Sequence, residues 1–156
     1  MDQRIEPSAE ALDMGRQLVE GLFRKELGLE PADLRYGLDI AKALIERGQL
    51  ERAMRIYAAL VLCDPVDPDY QVGLANCALV QGENHLALQA ASAVIVIAPT
   101  DPRGWLLSGR ACAGMAAYAE AAEDLAEAAA LAGRSGESAI AAEAERLRRQ
   151  IQAMAG

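Results

Sequence analysis

The sequence predicts an all-α protein, a solenoid of three helix–turn–helix repeats with one helix before them and a capping helix after them. Two observations carry this. Ala53, Ala87 and Ala121 recur at intervals of 34 residues, and Pro65/Pro99, Gly48/Gly82 and Asp67/Asp101 keep the same step. The composition agrees: 53% of residues are hydrophobic but only 4% aromatic, the excess being alanine. Alanine is the best helix former, and its small side chain lets helix backbones approach closely.

A 34-residue period is that of the tetratricopeptide repeat, whose stacked units curve around a concave surface that holds another chain. With Leu34, Pro68 and Pro102 at position one, the segments 34–67, 68–101 and 102–133 form three repeats. They are flanked by residues 1–33, a tail and amphipathic helix, and by residues 134–156, a capping helix.

The N-terminal helix is expected over residues 8–27, with Leu12, Leu18, Val19, Leu22 and Phe23 as its apolar stripe and Gly28 and Pro31 ending it. It either caps the first repeat or pairs with a second copy, and Leu18, Leu22 and Phe23 are the candidate homodimer interface. Repeat helices are expected at 34–47, 50–63, 68–81, 84–97, 102–115 and 118–132. Ala41, Ala75 and Gly109 fall at position eight, and Ala53, Ala87 and Ala121 at position twenty, where the two helices of a unit cross. The turn glycine is Gly48, then Gly82, but Ala116 in the third repeat. Position four is aromatic only at Trp105, with Gly37 and Gln71 as departures. Position twenty-four is Tyr57, Ala91 and Leu125. Asp67-Pro68 and Asp101-Pro102 read as N-cap plus first-turn proline. Pro65 and Pro99 close their repeats, and Gly133 takes that role in the third. The last helix, 136–154, sets Ile140, Leu147 and Ile151 inward and Glu143, Glu145, Arg146, Arg148 and Arg149 outward.

A formal charge of −8 disfavours nucleic acid and anionic membrane surfaces, since both need a basic face. The start of the chain lacks an apolar signal region, and the longest apolar run, Ala90 to Pro99, is too short to span a bilayer. Cys63, Cys77 and Cys112 have no metal-ligand spacing and read as reduced, buried residues of a cytosolic protein. His85 stands alone, and neither a nucleophile–base pair nor a glycine-rich phosphate loop is present. No catalytic, cofactor or metal site is therefore expected, and an enzyme is disfavoured. Glu120, Glu123, Asp124 and Glu127 read as a solvated helix face.

In repeats of this kind the first helix of each pair lines the concave groove. The positions facing it supply Leu38, Lys42 and Ile45, then Val72, Asn76 and Leu79, then Arg103, Leu106, Leu107 and Arg110, with Tyr70 beside them. Leu38, Val72 and Leu106 are equivalent and form an apolar track. Asn76 or Arg110 would hydrogen-bond the backbone of an extended or helical peptide.

The strings Ala59-Leu60-Val61-Leu62-Cys63-Asp64, Tyr70, Gly73-Leu74-Ala75-Asn76-Cys77 and Asp101-Pro102-Arg103 resemble, in order and spacing, the class II chaperones of type III secretion translocators, the SycD/LcrH-like family. That resemblance implies a bacterial cytosolic chaperone that binds hydrophobic translocators without ATP and keeps them soluble until export. An extended segment near the client's N-terminus would lie in the groove. Homodimers through the N-terminal helix, and influence on transcription through a regulator partner, occur in the family. Here Trp105-Leu106-Leu107-Ser108 replaces the family's phenylalanine–histidine stretch. The alternative is a repeat adaptor or scaffold subunit with no chaperone role, which a gene neighbourhood without translocators would favour.

Overall fold

The structure, a computed structural model, describes residues 8–19 and 21–155, without the side chains of 11, 12, 17–19, 22 and 155. Among the described residues are nine helices and no strand. They are α1 (Ala9–Val19), α2 (Leu22–Glu26), α3 (Pro31–Glu46), α4 (Leu50–Cys63), α5 (Pro68–Val80), α6 (Asn84–Ile97), α7 (Pro102–Gly114), α8 (Tyr118–Ser135) and α9 (Ser138–Ala155). From α3 onward each helix packs on the next, and α7 also touches both α5 and α9. This is the stacking of three helix pairs followed by a single helix.

Small residues set the spacing. Ala41 and Ala75 on the first helices, and Ala53, Ala87 and Ala121 on the second, are fully buried. At Gly109 an added Cβ would lie 2.6 Å from Cγ of Leu125, whose side chain is itself fully buried. Alanine does not fit there without repacking.

Capping follows the sequence. A carboxylate oxygen of Asp67 accepts from the backbone N–H of Asp69 at 2.8 Å, and one of Asp101 accepts from that of Arg103 at 2.9 Å. Each satisfies a donor that the first helical turn leaves free. Gly48 and Gly82 take φ of 72° and 76° in the inter-helix turns. The turn is closed by Gln49 N–H donating to Leu44 O at 2.8 Å, and by Glu83 N–H to Ala78 O at 2.9 Å. The third repeat closes in the same way, Ala117 N–H to Cys112 O at 2.9 Å, which forces Ala116 to φ 60°.

Three expectations change at the ends. The N-terminal helix is interrupted at Gly21, whose φ of 69° breaks the α ladder between α1 and α2. Helix α3 starts at Pro31 rather than 34: proline serves as its first-turn residue, with a reciprocal capping box between Glu30 and Asp33 before it. Gly133 does not end the third repeat. Helix α8 runs through it to Ser135 and stops where Gly136 enters the left-handed region at φ 80°.

The core runs along the stack as clusters of buried residues joined through half-buried ones such as Leu79 and Leu88. Leu34, Leu44, Tyr57, Leu60, Tyr70 and Leu74 fill the first half, and Leu106, Cys112, Leu125, Ala144 and Ile151 the second. Cys63, Cys77 and Cys112 are free and buried. Asp124 is not part of a fully solvated face. It accepts a 2.6 Å hydrogen bond from the hydroxyl of Ser108, a buried residue on α7. Burial pushes its carboxyl pKa up; the hydrogen bonds from Ser108 and Cys112 offset part of this, and Glu123 and Glu120 add to it. No described helix is long and apolar enough to cross a membrane.

Candidate binding groove

Helical periodicity brings one face of α3 and one of α5 toward the same space. Leu38, Lys42 and Ile45 lie at i, i+4 and i+7 on α3, and Asp69, Val72, Gly73 and Asn76 follow the same rule on α5. Together with Tyr57 of α4 and Arg103 of α7 they line a cavity of about 320 Å³. Six of the residues expected in the groove thus meet in one place: Leu38, Lys42, Ile45, Val72, Asn76 and Arg103.

Tyr57 forms the floor. Its ring crosses from α4 against Gly73, where any Cβ would overlap the ring carbons. A residue larger than glycine at 73 and an aromatic at 57 exclude each other. Tyr57 is only 4% exposed. Its phenol pKa is raised by burial first, then by Cys77 and Asp69, so the hydroxyl keeps its proton at neutral pH.

Arg103 is held from two sides. Its guanidinium donates to both oxygens of Asp101, the shortest contact being Nη2 to Oδ2 at 2.7 Å. Nη1 reaches back to Oδ1 of Asp69 at 2.8 Å. The arginine therefore ties the first turn of α5 to that of α7, and its charge is met within the protein. Burial would raise the Asp101 pKa, but the hydrogen bonds and charge of Arg103 outweigh it and hold that carboxyl below its ordinary value. Lys42 is exposed and makes no ion pair among the described residues.

Other expected groove residues are placed elsewhere. Leu106 and Leu107, 6% and 2% exposed, belong to the core. Leu106 shares its cluster with Ala144 and Ile151 of α9, so the last helix packs against the third-repeat equivalent of Leu38 and Val72. Arg110 faces the same helix, 3.9 Å from Glu143, beside a cavity of about 130 Å³ between α7, α8 and α9. Tyr70 is buried in the first-half core, and Leu79 is half-buried between clusters. Of the candidate dimer residues, the side chains of Leu18 and Leu22 lie outside the description, and Phe23 on α2 is partly exposed. Tyr57 lies outside the residues predicted for the groove, because it sits on the second helix of its pair and the first helices are the ones expected to line that surface. The small residue at 73, one of those facing the groove, was the only signal.

A sequence profile of the tetratricopeptide repeat matches residues 20–72. Among curated protein sequences none matches this chain. Solved structures do. A type III secretion complex from Aeromonas hydrophila superposes with a TM-score of 0.80 at 19% identity, over 96% of this chain and 97% of the other. PcrH with the chaperone-binding region of PopD gives 0.77 at 24% identity, over 83% of this chain and 98% of its own. The chain has the tetratricopeptide-repeat fold of these proteins. The Yersinia enterocolitica chaperone SycD with a peptide of the translocator YopD gives 0.74 at 21% identity, over 81% and 98%. Within this fold, the present chain keeps three repeats and an open groove over the first two.

Proposed function

We propose that this chain is a bacterial cytosolic chaperone of type III secretion translocators that holds an extended client segment in the groove over α3 and α5. The observation that carries this reading is the cavity where Leu38, Ile45 and Val72 stand beside Asn76 and Lys42. Apolar walls take up a client's apolar side chains, and the polar groups satisfy the backbone that is dehydrated with them. Crystal structures of the same fold with translocator segments support this assignment. The work is binding rather than catalysis: the client's apolar surface is covered until export. The acidic surface keeps the loaded complex dispersed. Homodimerisation through the N-terminal helices remains part of the proposal, with Leu18, Leu22 and Phe23 at the interface.

The test is coexpression with candidate apolar translocators. The wild-type chain is expected to bring a translocator into the soluble fraction and to copurify with it. Val72→Asp, which puts a charge on the groove wall, is expected to lose both. A Val72→Asp chain that solubilises its client as well as wild type would sink the groove assignment. An operon without translocators would favour the adaptor reading.

A further inference from the structure

The polar groups of the groove are not equally available. Arg103 is engaged by Asp69 and Asp101. Lys42 projects from the exposed rim of α3. The Tyr57 hydroxyl is in a different situation: the residue is more than nine-tenths buried, yet the hydroxyl makes no hydrogen bond with any described residue. Among the described residues the fully enclosed side-chain atoms without a partner are Trp105 Nε1 and Arg148 Nε, so the phenol oxygen retains an opening, and Tyr57 is one of the residues that line the groove cavity. Its ring carbon Cζ, which carries the hydroxyl, is packed at Gly73, in the middle of the α5 groove face. A buried tyrosine usually finds a partner for its hydroxyl, because leaving it unpaired forfeits a hydrogen bond.

We propose, resting on the groove reading above, that the Tyr57 hydroxyl is a client-binding group: it donates a hydrogen bond to a backbone carbonyl of the extended segment seated between α3 and α5. The chemistry favours a carbonyl. A peptide entering this cavity packs its side chains on Leu38, Ile45 and Val72, and its carbonyls lose water there. Each needs a donor, and beside Lys42 at the rim the cavity offers the hydroxyl of Tyr57 from α4 and the amide of Asn76 from α5. Gly73 then has a second purpose. It leaves the space the ring occupies against α5, which on this proposal brings the hydroxyl within reach of the client backbone.

The experiment starts from a peptide that binds this protein. A random dodecapeptide phage library is panned on the wild-type chain, and the tightest peptide is synthesised with a fluorescein label. Its affinity for wild type, Tyr57→Phe and Val72→Asp is measured by fluorescence anisotropy, with the melting temperature of each. Tyr57→Phe keeps the ring and removes only the oxygen. It is expected to weaken binding about three- to tenfold, the worth of one neutral hydrogen bond. Its melting temperature should be unchanged or higher, because no internal bond is lost. Val72→Asp should abolish binding. Replacing peptide amides by esters one at a time weakens each carbonyl acceptor in turn. One replacement should cost affinity on wild type and none on Tyr57→Phe. Unchanged affinity of Tyr57→Phe, with Val72→Asp still inactive, would overturn the role of Tyr57 and leave the groove standing. So would a fall in the melting temperature of Tyr57→Phe that accounts for its weaker binding, or the absence of any such ester position. Failure to select a peptide, or binding that ignores Val72→Asp, would overturn the groove reading and this inference with it.

Discussion

Replacing Ala116 by glycine should stabilise the protein. Ala116 occupies the turn position that is glycine in the first two repeats, and it is held at φ 60°. Two hydrogen bonds enforce this: its own N–H donates to Ala113 O at 3.0 Å, and that of Ala117 to Cys112 O at 2.9 Å. For an L-residue with a Cβ the left-handed region costs roughly 1–2 kcal/mol. Glycine removes that cost but adds freedom to the unfolded chain, about 0.4–1 kcal/mol in the other direction. Ala116 is exposed, so deleting its methyl sacrifices little burial. The net expectation is a gain of roughly 0.5–1 kcal/mol, or about 1–4 °C in melting temperature for a chain of this size. The matching control is Gly82→Ala. An added Cβ there meets nothing within 4 Å, so its effect reports the φ of 76° alone. It should destabilise by about 1 kcal/mol. Urea and thermal unfolding of the two variants decide the matter. A midpoint for Ala116→Gly at or below wild type would refute the claim that the turn stores backbone strain.

Two further outcomes follow from the packing and the charges. Gly73→Ala would drive a methyl into the Tyr57 ring, so it should destabilise by about 1–3 kcal/mol by urea unfolding and weaken groove binding; pairing it with Tyr57→Leu should recover part of the stability. Asp124→Asn keeps an acceptor for Ser108 and removes the half-buried charge. Because the folded carboxyl has a raised pKa, it binds its proton more tightly than the unfolded one. Its contribution is full below the ordinary carboxylate value of 3.8 and is lost as the pH climbs through the raised one. The advantage of Asp124→Asn over wild type should therefore grow between about pH 4 and pH 7. Urea midpoints across that range that run parallel for the two chains would contradict the assignment.

The turns and caps were legible because each rests on local chemistry. Asp67, Asp101, Pro68 and Pro102 start helices through their own backbone geometry, and Gly48 and Gly82 permit the turns whatever the partner helix does. Gly133 shows the limit of that reasoning. A glycine marks a helix end only when the chain needs positive φ there, and here Gly136 meets the need while α8 keeps Gly133 within its span. Gly21 shows the converse, a break inside an unbroken apolar stripe. In the groove, Leu38, Lys42, Ile45, Val72 and Asn76 were readable from repeat register because they share a face with no later helix over it. Leu106 and Arg110 share that register but not that surroundings.

By itself, the 34-residue sequence period determined the helix pairs, their crossing points and which face of each first helix turns inward, because backbone propensity, caps and side-chain size act over a few residues. Only the tertiary structure decided where the groove ends and what its polar groups do. Helix α9 packs onto the third repeat and removes Leu106 from the open surface. Asp69, one repeat behind Arg103, takes up that side chain. The Tyr57 ring comes to rest at Gly73, and its hydroxyl has no partner among the described residues. These are contacts between residues distant in sequence, and a period that treats every repeat alike cannot distinguish a repeat with a neighbour on both sides from one that meets the end of the stack.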